Sequence, residues 1–146
     1  MLELRNPTSK YSLIFSLPLR EPSGDEEEIV PWQRLEIRKG TAKSRVAMDL
    51  SKDGPHSAVA PYWDRDELWS PDGLYAVLMR SSRVRAHGTM DPFQLEFFGL
   101  ENGRAALFQA GNEYASTDNF LGWKAGAPHT MLITVANQTL EAQPGN

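Results

Sequence analysis

Three histidines are the first residues to weigh for chemistry, and His56, His87 and His129 stand far apart, with no His-x-His or His-Glu-x-x-His spacing. A transition-metal site draws its ligands from short, regular spacings, so dispersed histidines read as solvated or hydrogen-bonded side chains. The chain has no cysteine, which removes disulfides, thiolate nucleophiles, cysteine-ligated zinc and iron–sulfur clusters. No Gly-x-Ser-x-Gly elbow anchors a hydrolase triad, and no phosphate-binding glycine loop or dinucleotide fingerprint is present. Asp64-x-Asp66 followed by Asp72-Gly73 has some of the acids of a calcium loop. It lacks that loop's ligand spacing and terminal glutamate, and reads as a solvated acidic turn. The expectation is therefore a protein without cofactor or metal. An enzyme would have only Asp64, Asp66, His87 and His129 to draw on, dispersed over loops.

Two segments have the chemistry of binding. Asp25, Glu26, Glu27 and Glu28 form a compact acidic block in a stretch with loop composition. Such a run is either a solvated face or a source of charge steering. The second segment is Pro61-Tyr62-Trp63-Asp64-Arg65-Asp66-Glu67-Leu68-Trp69, where three aromatics are interleaved with four charges. Aromatics rimmed by charge are the composition of an interface hot spot. Trp63 and Trp69 can equally be core residues. The candidate docking residues are Asp25, Glu26, Glu27 and Glu28 together with Tyr62, Trp63, Asp64, Asp66 and Glu67.

The elements that must position these residues read as strands. Apolar side chains alternate at Tyr11, Leu13, Phe15, Leu17 and Leu19, at Leu35 and Ile37, at Val46, Met48 and Leu50, and at Phe93, Leu95 and Phe97. Period two places one face in a core and the other in water. Tyr75–Met79 and Thr130–Val135 are more apolar along their length and read as central strands. Glu101-Asn102-Gly103 is a hairpin signal, Lys39-Gly40-Thr41 joins two further strands, and Asp53-Gly54 and Asp72-Gly73 mark tight turns. No segment holds a helical apolar period over three turns, and one short helix after Ser23 would be stopped by Pro31. The chain is expected to be all-β, with about eight to ten antiparallel strands.

At 146 residues the chain has the length of one domain, with 40% hydrophobic and 23% charged residues. The charge is −4, from 15 basic and 19 acidic residues, which argues against a nucleic-acid partner. The opening residues lack the basic start and apolar run of a signal peptide, and Tyr11–Leu19 is too short and interrupted for a membrane span. These features imply no membrane association and a cytoplasmic location.

Trp69-Ser70-Pro71-Asp72-Gly73-Leu74-Tyr75-Ala76-Val77 is the most specific string in the chain. It resembles the Trp-Ser-Pro-Asp-Gly turn that opens a blade in TolB-type and related WD-like β-propellers. Phe120-Leu-Gly-Trp123 looks like the start of a second unit, without Ser-Pro-Asp-Gly, and Leu50-Ser51-Lys52-Asp53-Gly54 is a fainter echo lacking the tryptophan. The blade-like region covers about 69–135. A closed propeller needs at least about four blades of some 40 residues, more than this length holds. The resemblance implies an open propeller-like arrangement or β-sandwich, with Trp69 and Trp123 largely buried where sheet layers meet.

Small size, acidic charge and no compact catalytic set together resemble bacterial toxin immunity proteins, including those paired with type VI effectors. That resemblance implies a non-enzymatic module that neutralises a cognate toxin by direct binding. A structural subunit assembling through sheet edges, as a homo-oligomer, and a small enzyme are the alternatives.

Overall fold

The computed structural model describes residues 1–19, 30–54, 57–62, 67–81, 94–106, 120–127, 130–135 and 137–143. Eleven strands run through them: β1 (Leu2–Arg5), β2 (Tyr11–Pro18), β3 (Trp32–Lys39), β4 (Arg45–Asp49), β5 (Ala58–Pro61), β6 (Tyr75–Ser81), β7 (Gln94–Gly99), β8 (Arg104–Ala106), β9 (Phe120–Trp123), β10 (Met131–Val135) and β11 (Gln138–Ala142). The fold is all-β and antiparallel, with one strand more than the upper expectation. The large sheet has the order β1-β2-β3-β5-β6-β7-β8, with β4 also paired to β3, and the small sheet has the order β11-β10-β9. Neither sheet closes into a barrel. The expected short helix after Ser23 lies outside the described residues, which contain a single 3-10 turn at Leu50–Asp53.

Tyr75–Ser81 and Met131–Val135 are central, each with a strand on both sides, as the apolar runs Tyr75–Met79 and Met131–Ile133 within them imply. Elsewhere the simple alternation is modified. In β2 Leu13 and Phe15 enter the core, yet Ser12 and Ile14 on the opposite face are buried too. In β4 the expected inward set Val46, Met48 and Leu50 is broken. A register shift between Leu35 and Glu36 of the partner strand turns Val46 outward, where it is 47% exposed, while Leu50 stays buried. One residue of slip is enough to exchange the two faces of a strand.

The Trp-Ser-Pro-Asp-Gly segment folds into a tight turn closed by its own side chains. Ser70 Oγ donates to Asp72 Oδ1 and accepts from Tyr75 N at 3.0 Å, while Asp72 Oδ1 also accepts from Leu74 N at 3.1 Å. Gly73, at φ +73°, supplies the left-handed residue that the turn needs. Trp69 bridges to Ala76, and Ser70 N donates to Tyr75 O at 2.9 Å. Trp123 occupies the matching place, opposite Met131, with Lys124 N donating to Thr130 O at 2.9 Å. Both tryptophans are only partly buried, less than expected, because each stands beside a turn at the end of its hairpin. The Trp123 ring nevertheless lies where the two sheets meet, 6.0 Å from the ring of Phe97 in β7.

The β1–β2 turn is tied to this motif turn through Asn6, which is buried. Asn6 Nδ2 donates to Gly73 O at 3.2 Å, and its Oδ1 accepts from Thr8 N and Thr8 Oγ1. Replacing Asn6 with alanine strands that carbonyl and that amide together. The expected cost is about 1–3 kcal/mol, read from the midpoint of urea unfolding.

Among the described residues, three buried side-chain atoms have no hydrogen-bond partner: Trp32 Nε1, Arg34 Nε and Glu96 Oε2. The register Trp32↔Val59↔Arg80 and Leu78↔Glu96 places all three on one face of the large sheet. Glu96 faces Arg80, Oε1 to Nη1 at 3.5 Å, and Arg80 also reaches Asp53 at 3.9 Å. Burial pushes the Glu96 carboxyl above the usual glutamate range, and the Arg80 charge offsets only part of that. A carboxyl with a raised folded pKa holds its proton more tightly in the native state. Its contribution is complete below the unfolded value and is lost as pH rises through the folded one. Glu96→Gln should therefore gain stability relative to the parent as pH rises above the ordinary glutamate range and through the raised folded value. Thermal unfolding of the two proteins across that window checks the sign. A variant that loses stability relative to the parent as pH rises would reverse it.

Candidate functional site

Of the acidic and aromatic residues singled out above, Tyr62 and Glu67 lie in the described residues. Asp25, Glu26, Glu27 and Glu28, as well as Trp63, Asp64 and Asp66, lie outside them, as do His56, His87 and His129. Tyr62 is 6% exposed and belongs to the hydrophobic core, with its amide donating to Val77 O at 3.3 Å. Its ring has little surface to offer a partner.

Glu67 is placed differently. Its carbonyl accepts from Trp123 Nε1 at 2.8 Å, which fixes the segment against the first strand of the small sheet. Its carboxylate stands over Gly122, where an added Cβ would lie 3.8 Å from Oε1. Glu67, half-buried, thus lies against β9 beside Gly122.

The faces of β9 are set by the register of the small sheet. Trp123 pairs with Met131 and Gly122 with Leu132, but Phe120 pairs with Ile133, so Leu121 is an extra residue in the ladder. Gly122, at φ +117°, accommodates the bulge. Met131, Ile133 and Ala142 point into the core, and Leu132 and its partner Glu141 take the opposite side. The bulge turns Leu121 outward, leaving it 51% exposed. Lys124 Nζ pairs with the Glu141 carboxylate beside it. The arrangement is a small apolar centre of Leu121 and Leu132 rimmed by Glu67, Lys124 and Glu141.

This surface combines apolar area with charged groups. Two leucines offer area to desolvate, and the rim supplies charge of both signs at the water boundary. The sheet beneath it is anchored through the Trp123–Glu67 hydrogen bond and the Phe97 contact, so the surface is preformed. Among the described residues no group of three or more histidine or acidic side chains could hold a metal ion, and no helix is long and apolar enough to cross a membrane.

Sequence reasoning found Glu67 through its charge and neighbouring aromatics, and missed Leu121, Lys124, Leu132 and Glu141. Phe120-Leu-Gly-Trp123 reads as a strand start, and the glycine was the one signal of a bulge. Comparison with protein-family models, characterised proteins and solved structures gives no match, so this reading rests on the residues themselves.

Proposed function

We propose that the chain is a non-enzymatic protein-binding module that docks one protein partner through the face of β9–β11 that carries Leu121, with the acidic residues of the sequence steering the encounter. The observation that carries this reading is the exposed Leu121 next to Gly122, against which the Glu67 carboxylate lies, on a strand tied down by the Trp123–Glu67 hydrogen bond. The finer reading is an immunity protein that neutralises a cognate bacterial toxin, of the type VI effector kind, in the cytoplasm. Its support is the short acidic chain and the lack of a compact catalytic motif in the sequence. An acidic inhibitor suits a toxin whose active cleft is basic, because complementary charge speeds capture.

The two kinds of contact separate kinetically. Leu121→Arg, at the centre of the face, should raise the dissociation rate and weaken binding by about 2 kcal/mol or more. Neutralising Glu26, Glu27 and Glu28 should instead slow association and reduce its salt dependence, with dissociation little changed. Surface plasmon resonance on the folded variants reads both. Parent-like kinetics in every variant would place the interface elsewhere.

A second reading, a structural subunit that self-assembles, is favoured by one feature. β9 and β11 are the outer strands of the small sheet, with no further strand alongside among the described residues. Outer strands expose backbone groups that can pair with another chain. Sedimentation of the isolated chain distinguishes the readings, since self-assembly needs no second protein.

A further inference from the structure

The opposite end of the large sheet carries a different chemistry. A cleft of about 310 Å³ opens between the β1–β2 turn and the β3–β4 turn, over the face of β1, β2 and β3. Its lining includes three cations, Arg5, Lys10 and Arg38, against one carboxylate, Glu3. The register explains the concentration. Arg5 pairs with Ser12, and Ser12 pairs with Arg38, so two arginines flank one buried serine on a single face.

Like charges held close on one face of a sheet are unfavourable unless a counter-charge lies between them. Glu3 answers Arg38, Oε1 to Nη1 at 3.0 Å. Among the described residues Arg5 and Lys10 have no ion-pair partner. This excess sits in a chain whose net charge is −4, so it is a local choice and not a reflection of composition.

Three further features suit an oxyanion. Ser9, Ser12 and Thr41, which carry hydroxyl groups, are among the lining residues. A guanidinium offers paired donors to a phosphate, and a lysine offers a point charge. The frame is rigid, because the walls are paired strands and Gly40 N closes the far side onto Lys10 O at 2.7 Å. The volume lies at the lower end of small-molecule sites, which favours a compact ligand over a polymer.

We propose that this cleft binds the phosphate group of a small phosphate monoester, with Arg5 and Lys10 as the principal contacts and Arg38, held by Glu3, as the third. The site is separate from the docking face and does not depend on it.

The test is a titration of the full-length chain with glucose 6-phosphate, followed by amide chemical shifts at about 150 mM salt, with glucose as the uncharged control. Saturable shifts centred on Arg5, Lys10, Ser12 and Arg38 are expected for the ester and absent for glucose. Arg5→Gln combined with Lys10→Gln should weaken binding at least about tenfold. Both side chains are exposed, and parent-like spectra elsewhere verify the fold. Lys52→Gln, away from the cleft, should leave binding unchanged. The proposal is overturned by any of three results: no saturable shift up to about 10 mM ester, equal weakening by Lys52→Gln, or displacement of the ester by an oligonucleotide at matched phosphate concentration.

Discussion

Phe97→Ala is expected to destabilise the protein by about 3–5 kcal/mol, the cost of an emptied aromatic site in a close-packed core. Phe97 is fully buried in the second-last strand of the large sheet. Its ring meets Tyr75 edge-on at 6.2 Å on its own sheet, and Trp123 at 6.0 Å on the small sheet. Truncation therefore removes the transfer energy of the ring, leaves a cavity, and loosens the contact that seats β9–β11. Denaturant unfolding gives the size of the loss, and Trp123 fluorescence should shift in the folded variant. Phe97→Leu refills most of the space and should cost clearly less. A loss under about 1 kcal/mol for the alanine variant would mean that the two sheets do not share a core at this point.

The second large effect is expected at Gly73. Its φ of +73° lies in the left-handed region, where an L side chain costs about 1–2 kcal/mol. A Cβ there would also stand 2.7 Å from Thr8 Oγ1 and 3.1 Å from Ser9 Cβ, so the β1–β2 turn would have to move. Gly73→Ala should accordingly cost about 2–4 kcal/mol, part strain and part displaced packing. Gly40 is the natural control. It has a similar φ of +60°, but an added Cβ would meet nothing within 4 Å. Gly40→Ala should lose only the backbone strain, and the difference between the two variants isolates the contact between turns. Equal losses would show that the close approach of Thr8 and Ser9 to Gly73 adds nothing to the cost.

Local residues announced much of the architecture. Tyr11–Pro18, Gln94–Gly99 and the Asn102-Gly103 turn follow from alternation and turn chemistry, which need no knowledge of the rest of the chain. The short strands Leu2–Arg5, Ala58–Pro61 and Gln138–Ala142 carry too few residues for a period to stand out, and pairing with longer neighbours defines them. Val46 faces outward because of a register shift opposite Leu35 and Glu36, a property of the pair of strands and not of either sequence. The candidate site divides in the same way. Glu67 was visible as a charge beside aromatics. Leu121 became a surface residue only through the bulge that Gly122 permits. Tyr62, chosen for its aromatic character, is required by the core.

If the face that carries Leu121 docks a single protein, as proposed, a charge at Leu121 abolishes the complex. The most direct measurement is complex formation by the full chain and by Leu121→Arg, using a toxin domain whose expression alone arrests growth of the host. The account predicts a stable one-to-one complex and restored growth on co-expression of the parent chain. It also predicts loss of both with a folded Leu121→Arg variant. Equal binding and equal protection by the two chains would contradict it.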